Sequence, residues 1–119
     1  MLDVRPSPIA GTWYEGNKET LARVVDNFLN NAQLPALDGE VIGVIAPHAG
    51  HQYSGAVAGY AFAVIKELKP DLVAVISPFH NYSNHPLLTT AHDAYGTPLG
   101  RIEVDKSAMA ELSSHLDIP

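Results

Sequence analysis

The sequence predicts an α/β fold, a three-layer α/β/α domain with a mostly parallel sheet. Residues 41–46 and 72–76 are short runs rich in Val and Ile, apolar on both faces as buried parallel strands are. Between them, residues 55–68 are typical of a helix whose early small residues let it lie close to a sheet. A strand–helix–strand unit of this kind places its two strands parallel and usually adjacent.

Each predicted strand is followed by a proline and then by a histidine, His48 and His80. Because adjacent parallel strands lie about 4.8 Å apart, we expect both histidines to converge on one rim of the sheet. In open α/β sheets that rim is where ligands bind. Neutral imidazole suits iron, copper and zinc, so a metal site is one interpretation. The other is that each histidine only caps a strand-end loop, and the sequence identifies no certain third ligand.

The remaining elements follow in order along the chain. Prolines at positions 6 and 8 exclude a helix from the N-terminal stretch, which is extended and rich in turns. Asn17 is predicted to cap a helix whose apolar residues recur with helical spacing. Asp105 is predicted to cap a last helix. The expected bounds are 18–32 for the first helix, 87–91 for a third strand, 96–98 for a turn, 101–104 for a short strand and 106–116 for the last helix.

Composition narrows the class of protein. At 119 residues the chain has the size of one small domain, with a net charge of −6 and no cluster of Lys and Arg. A nucleic-acid or anionic-membrane surface is therefore not expected. The apolar runs are too short to span a bilayer, and the N-terminus lacks the pattern of a signal peptide. The absence of cysteine fits a cytoplasmic protein.

Only two strands are apolar enough to be fully buried, whereas a doubly wound sheet normally has more and is covered by helices on both faces. We therefore expect residues 1–119 to form an incomplete part of one domain.

Four segments carry a resemblance to a known family. They are AGTWY at residues 10–14, APHAG at 46–50 followed by Tyr-Ser-Gly at 53–55, SPFHN at 77–81 and DAYGTPLG at 93–100. In this order they resemble the motifs A-G-[ST]-W-Y, P-H-A-G-Y-x-Y-S-G, G-P-x-H and D-x-[WY]-x-T-P-L-G of the Memo family, also called AmmeMemoRadiSam system protein B.

The resemblance implies an α/β/α domain related to class III extradiol (LigB-type) dioxygenases, which hold non-haem iron with two histidines and a carboxylate. It implies a metal pocket with His48 and His80 as ligands, iron or copper as the metal, and a radical-SAM protein as partner. Memo-family proteins are more than twice this length, and their later E-H-S and D-F-[ST]-H motifs have no counterpart here. The chain therefore resembles the N-terminal half of such a domain, as a fragment or a truncated reading frame.

The matched segments also supply candidate pocket residues. His51 stands where the family commonly has Tyr, which puts a further imidazole near the pocket, and Ser77 stands where it commonly has Gly. Trp13, Tyr53 and Ser54 could line the pocket too. The alternatives are a solvated loop histidine, a packed tryptophan and a serine that caps the second helix. His85, His92 and His115 are interpreted as surface residues, and Asp93 as part of a turn.

Three functions remain open. The chain could belong to a Memo-like metal-pocket protein of unsettled, redox-linked reaction. It could instead belong to an extradiol-type dioxygenase that binds a catechol-like substrate at iron. The third reading is a non-catalytic protein-interaction module. Metal analysis separates the third function from the first two, and oxygen consumption with catechols separates the second from the first.

Overall fold

The computed structural model describes residues 1–116, which form two compact units. The helical unit comprises residues 7–70, and the sheet unit comprises residues 1–6 together with residues 71–116. No helix among the described residues is both long enough and apolar enough to cross a membrane.

Helix α1 of the helical unit spans Lys18–Asn30, and its start is fixed by the residue that the sequence predicts. The Oδ1 atom of Asn17 accepts a hydrogen bond from the backbone N–H of Thr20, at 2.9 Å. This satisfies one of the donors that have no partner within the first turn of a helix. The apolar stripe buries Leu21, which is only 3% exposed.

The second helical segment begins with a π-helical turn, His51–Gly55, and continues as α2 over Ala56–Ile65. Helix α2 packs against α1, and its single glycine, Gly59, lies at the contact. A Cβ atom on Gly59 would lie 2.6 Å from the backbone oxygen of Phe28, so only glycine allows this close approach. Both predicted helices of this unit are confirmed, each ending slightly earlier than expected.

The described residues of the sheet unit form three short strands in the order β1-β2-β3. Strand β1, Val4–Arg5, runs parallel to β2, Ala94–Thr97, and β2 runs antiparallel to β3, Gly100–Glu103. A two-residue loop joins β2 to β3, and Gly100 follows it with a φ of 140°, a conformation that favours glycine. The Ala94 side chain, fully buried, is the core of this unit.

Helix α3 follows the hairpin over Lys106–His115. Asp105 caps it as predicted, because its Oδ1 atom accepts a hydrogen bond from the N–H of Ala108 at 2.9 Å. The amino group of Lys106 returns to the segment before β2, where it donates to the carbonyl oxygens of Ala91 and His92 at 2.9 and 2.8 Å.

The structure confirms a mixed α/β fold but not the first three predicted strands. Residues 41–46, 72–76 and 87–91 carry no regular secondary structure, and the described sheet has one parallel and one antiparallel pairing. Ile45 and Ile76 are 99% and 95% exposed. Parallel strands are stable when neighbouring strands and helices cover both faces, and these side chains have no such cover. The short strand predicted at residues 101–104 is formed, one residue earlier.

Candidate functional site

The AGTWY segment forms a compact turn that presents Trp13. The carbonyl oxygen of Ile9 accepts hydrogen bonds from the N–H groups of Thr12 and Trp13, at 3.1 and 2.9 Å. The N–H of Gly11 donates to the carbonyl oxygen of Tyr14 at 2.8 Å, and Gly11 has a φ of 82°. The Trp13 side chain is left half exposed.

The π-helical turn that follows His48 is tied to this tryptophan. The backbone N–H of His51 donates to the carbonyl oxygen of Trp13 at 2.8 Å. A Cβ atom on Gly50 would lie 3.3 Å from the same oxygen, so the glycine permits the close approach. The N–H groups of Tyr53 and Ser54 both donate to the carbonyl oxygen of Gly50, at 2.9 and 3.1 Å. Turns of π-helical type often occur at functional sites.

These two segments border an open cavity of about 520 Å³, the Tyr53 cavity. Trp13 and Tyr53 form its aromatic part, and Tyr53 is 79% exposed. His48 precedes one of the lining residues by a single position in the chain. The residues that line the cavity are Thr12, Trp13, Ala49, Gly50, Gln52 and Tyr53.

His51 turns toward a second cavity of about 270 Å³, the His51 cavity. Its imidazole ring lies 5.6 Å from the ring of Tyr14 and 5.6 Å from the ring of Phe28, measured between centroids. The contact with Phe28 is edge-on, at 87°. Among the described residues the buried Nδ1 atom of His51 has no hydrogen-bond partner. His51 is thus a partly buried packing residue at a cavity and not a solvated loop histidine.

The interpretation of Ser54 as a helix cap is wrong. Its hydroxyl group donates to the carbonyl oxygen of Ala49 at 3.1 Å, and so does not accept from an N–H group as a cap does. The residue lies inside the π-helical turn, whose first residue is preceded by Gly50.

The two predicted metal ligands lie in different units. His48 belongs to the helical unit and His80 to the sheet unit, and both are exposed. Among residues 1–116 no group of three or more His, Cys, Asp or Glu side chains could hold a metal ion. The convergence of His48 and His80 on one rim of a sheet therefore stays a prediction.

A polar cluster in the sheet unit was not predicted. The Nδ1 atom of His92 lies 3.0 Å from the Oδ2 atom of Asp3, and the N–H of Asp3 donates to the Oδ2 atom of Asp93 at 2.9 Å. That hydrogen bond, and then the Lys106 amino group 3.4 Å from Oδ1, lower the pKa of Asp93 below its ordinary value. Asp93 thus joins the chain start to the hairpin, whereas His85 and His115 are exposed as predicted.

One ring contact of the helical unit was not predicted either, because it joins residues that are distant in the chain. Phe28 contacts His51 across the α1–α2 packing. The glycines at positions 55 and 59 are the one local signal of it, since their spacing places both on one helix face.

The helical unit has a loop-lined pocket, bordered by the turn that presents Trp13 and by the π-helical turn that follows the Pro-His pair. Together with the β2–β3 hairpin of the sheet unit, these features define a mixed α/β protein. The profile of the family described as Memo-like protein matches residues 5–118, and the chain belongs to that family.

Curated relatives agree with this assignment. The chain is 34% identical to a MEMO1 family protein of Pyrobaculum aerophilum over 96% of its own length and 43% of the relative's. It is 31% identical to a MEMO1 family protein of Nitrosopumilus maritimus, covering 94% of this chain and 42% of that one. It is also 34% identical to the protein memo-1 homolog of Caenorhabditis elegans, over 96% of this chain and 33% of that one. The chain thus spans less than half the length of these relatives.

Proposed function

We propose that this chain supplies part of a Memo-type metal pocket in which His48 and His80 are ligands. The observation that carries the proposal is the position of His48, directly before the glycine-bounded turn that lines the Tyr53 cavity. Trp13 and Tyr53 then form the aromatic wall beside the metal. The family match spans residues 5–118 and so includes both histidines, which supports assigning them the same role.

The described residues do not by themselves fit a metal centre, since no group of three candidate ligands exists among them. Two imidazoles leave a coordination sphere of four or more positions unfinished. The remaining ligands are proposed to come from the part of the family's domain that this chain does not span. Iron or copper is the metal proposed, because both accept imidazole ligands.

Two exposed apolar segments are candidates for the predicted parallel strands. Residues 41–46 and 72–76 keep a β-branched, apolar composition, yet Ile42, Ile45 and Ile76 are at least 95% exposed. We propose that they become adjacent parallel strands of the three-layer domain when its remaining part covers them. Adjacent strands would bring His48 and His80 to the same rim.

The reaction is proposed only at the level of its class. A redox-linked role beside a radical-SAM partner, in the cytoplasm, follows from the resemblance of the four motifs.

The test measures metal bound after purification, with elemental analysis for iron and copper. We expect the 119-residue chain to bind metal weakly, and the chain extended with the remaining part of the domain to bind it well. In the extended protein, His48→Ala and His80→Ala should each lower occupancy sharply, because each removes a ligand. The matched control is His115→Ala, which removes an exposed imidazole on α3. Equal occupancy in His48→Ala and His115→Ala would refute the assignment.

A further inference from the structure

Four of the nine residues that line the His51 cavity carry aromatic rings. Trp13, Tyr14 and Phe28 line it together with the imidazole of His51. The face of an aromatic ring carries partial negative charge, which attracts cations placed over it. Several rings around one small cavity therefore favour a cation over an anion.

The charged side chain that lines the cavity also favours a cation. Glu15 is the one ionisable carboxylate among the lining residues, and no Lys or Arg lines the cavity. Within the described part of the chain Glu15 forms no ion pair, so its charge is available to a ligand. The net charge of −6 favours the approach of cations as well.

We propose that the His51 cavity binds an organic cation, specifically a quaternary ammonium group. Its volume of about 270 Å³ lies just below the range of about 300–1,000 Å³ typical of small-molecule sites, which suits a head group and not a large ligand. A primary ammonium group would need several acceptors for its three N–H donors. A quaternary ammonium group needs none, so aromatic walls and one carboxylate satisfy it. The His51 cavity shares Trp13 with the proposed metal pocket, but the binding proposed here does not require a metal.

The walls are held in place before any ligand arrives. The hydroxyl groups of Ser7 and Tyr14 are hydrogen-bonded, which fixes the Tyr14 ring. The hydrogen bond from the His51 N–H to the Trp13 carbonyl joins the two segments that form the walls. A preorganised site spends little binding free energy on ordering its side chains.

The chain offers an internal probe, since Trp13 is its single tryptophan and lines the cavity. The 119-residue chain is titrated with choline chloride at constant ionic strength and pH 8, and Trp13 fluorescence is recorded. The matched neutral ligand is 3,3-dimethylbutan-1-ol, which has the shape of choline without the charge. We expect a saturable change with choline and a much weaker response to the alcohol. A peptide containing trimethyl-lysine tests whether the same group is accepted from a protein.

Variants separate the carboxylate from net charge. Glu15→Gln should weaken choline binding about two- to fivefold, the range for an exposed ion pair. Glu19→Gln, in the first turn of α1, removes the same charge from a residue that does not line the cavity, and should leave affinity unchanged. Circular dichroism confirms that both variants fold. Equal binding of choline and the alcohol, no saturable response to either, or equal losses in the two variants would each overturn the proposal.

Discussion

At the residue scale, Asp93 connects parts of the chain that are far apart in sequence. Its carboxylate accepts the N–H of Asp3, and its own N–H donates to the Asp3 carbonyl at 2.8 Å. Its carbonyl oxygen accepts the N–H of Val104, also at 2.8 Å. A side chain in a matched family motif is thus used to hold the sheet unit together.

The lowered pKa of Asp93 predicts a pH dependence of stability. Because the folded-state pKa lies below the ordinary value of 3.8, the carboxylate stabilises the fold above that value. This contribution is lost as the pH falls through the folded-state pKa. Asp93→Asn should therefore lower the urea midpoint at pH 7, and the difference from the wild type should shrink toward pH 3.

The control is Asp26→Asn, which changes an exposed carboxylate on α1 of the other unit. Its midpoint should follow the wild type at both pH values. A difference for Asp93→Asn that stays constant from pH 7 to pH 3 would show that the charge of Asp93 does not stabilise the sheet unit.

At the element scale, the close packing of α2 on α1 depends on Gly59. Replacing a helical glycine with alanine normally stabilises a helix by about 1 kcal/mol. At Gly59 the new Cβ atom would lie 2.6 Å from the Phe28 oxygen, a backbone atom that cannot rotate away. We expect Gly59→Ala to lower the free energy of unfolding of the helical unit by about 1–3 kcal/mol.

Chemical denaturation followed by circular dichroism at 222 nm measures this change. Gly43→Ala serves as the control, because nothing lies within 4 Å of a Cβ atom built there, and its effect should stay within about 0.5 kcal/mol. An increase in stability for Gly59→Ala would mean that the two helices separate without cost.

Helices were predictable from sequence because their signals are local. Asn17 and Asp105 each stand directly before a helix, and both accept the hydrogen bond expected of a cap. Strand β1 has only two residues and pairs with β2 about 90 positions later, which no local pattern reveals. The strands predicted at 41–46 and 72–76 had the right composition, but a strand also needs neighbours, and composition does not supply them.

In the candidate site, too, the features with a local sequence signal were predicted and those without one were not. Trp13, His51 and Tyr53 were selected from motifs, and the structure places all three at cavities of the helical unit. The Ser54 cap was wrong because a π-helical turn occupies the place expected for the first turn of the helix. Such a turn adds a residue to the hydrogen-bonded ring and has no simple signature in the sequence.

At the scale of the whole molecule, the described chain exposes several large β-branched side chains. Ile42, Ile45, Val75 and Ile76 are 84% to 99% exposed, whereas the buried apolar residues of the described chain are Leu21, Ala63 and Ala94. The curated relatives extend well beyond the matched region, to more than twice its length. A small core with exposed β-branched runs indicates marginal stability and a tendency to associate.

If residues 41–46 are covered only in a longer chain, the effect of Ile45→Ala on stability should depend on the length of the chain. In the 119-residue chain the side chain is exposed, so the variant should change the free energy of unfolding by less than about 0.5 kcal/mol. In the chain extended with the rest of the family's domain, the same change should cost about 2–5 kcal/mol, as for a buried core residue. Leu21→Ala, at a buried position of α1, should be destabilising in both.

Urea titrations of the six proteins, with light scattering to monitor association, give the comparison. Reversible, cooperative unfolding of the short chain as a soluble monomer, with Ile45→Ala as costly as Leu21→Ala, would show that residues 41–46 are already buried in the strand that their composition predicts.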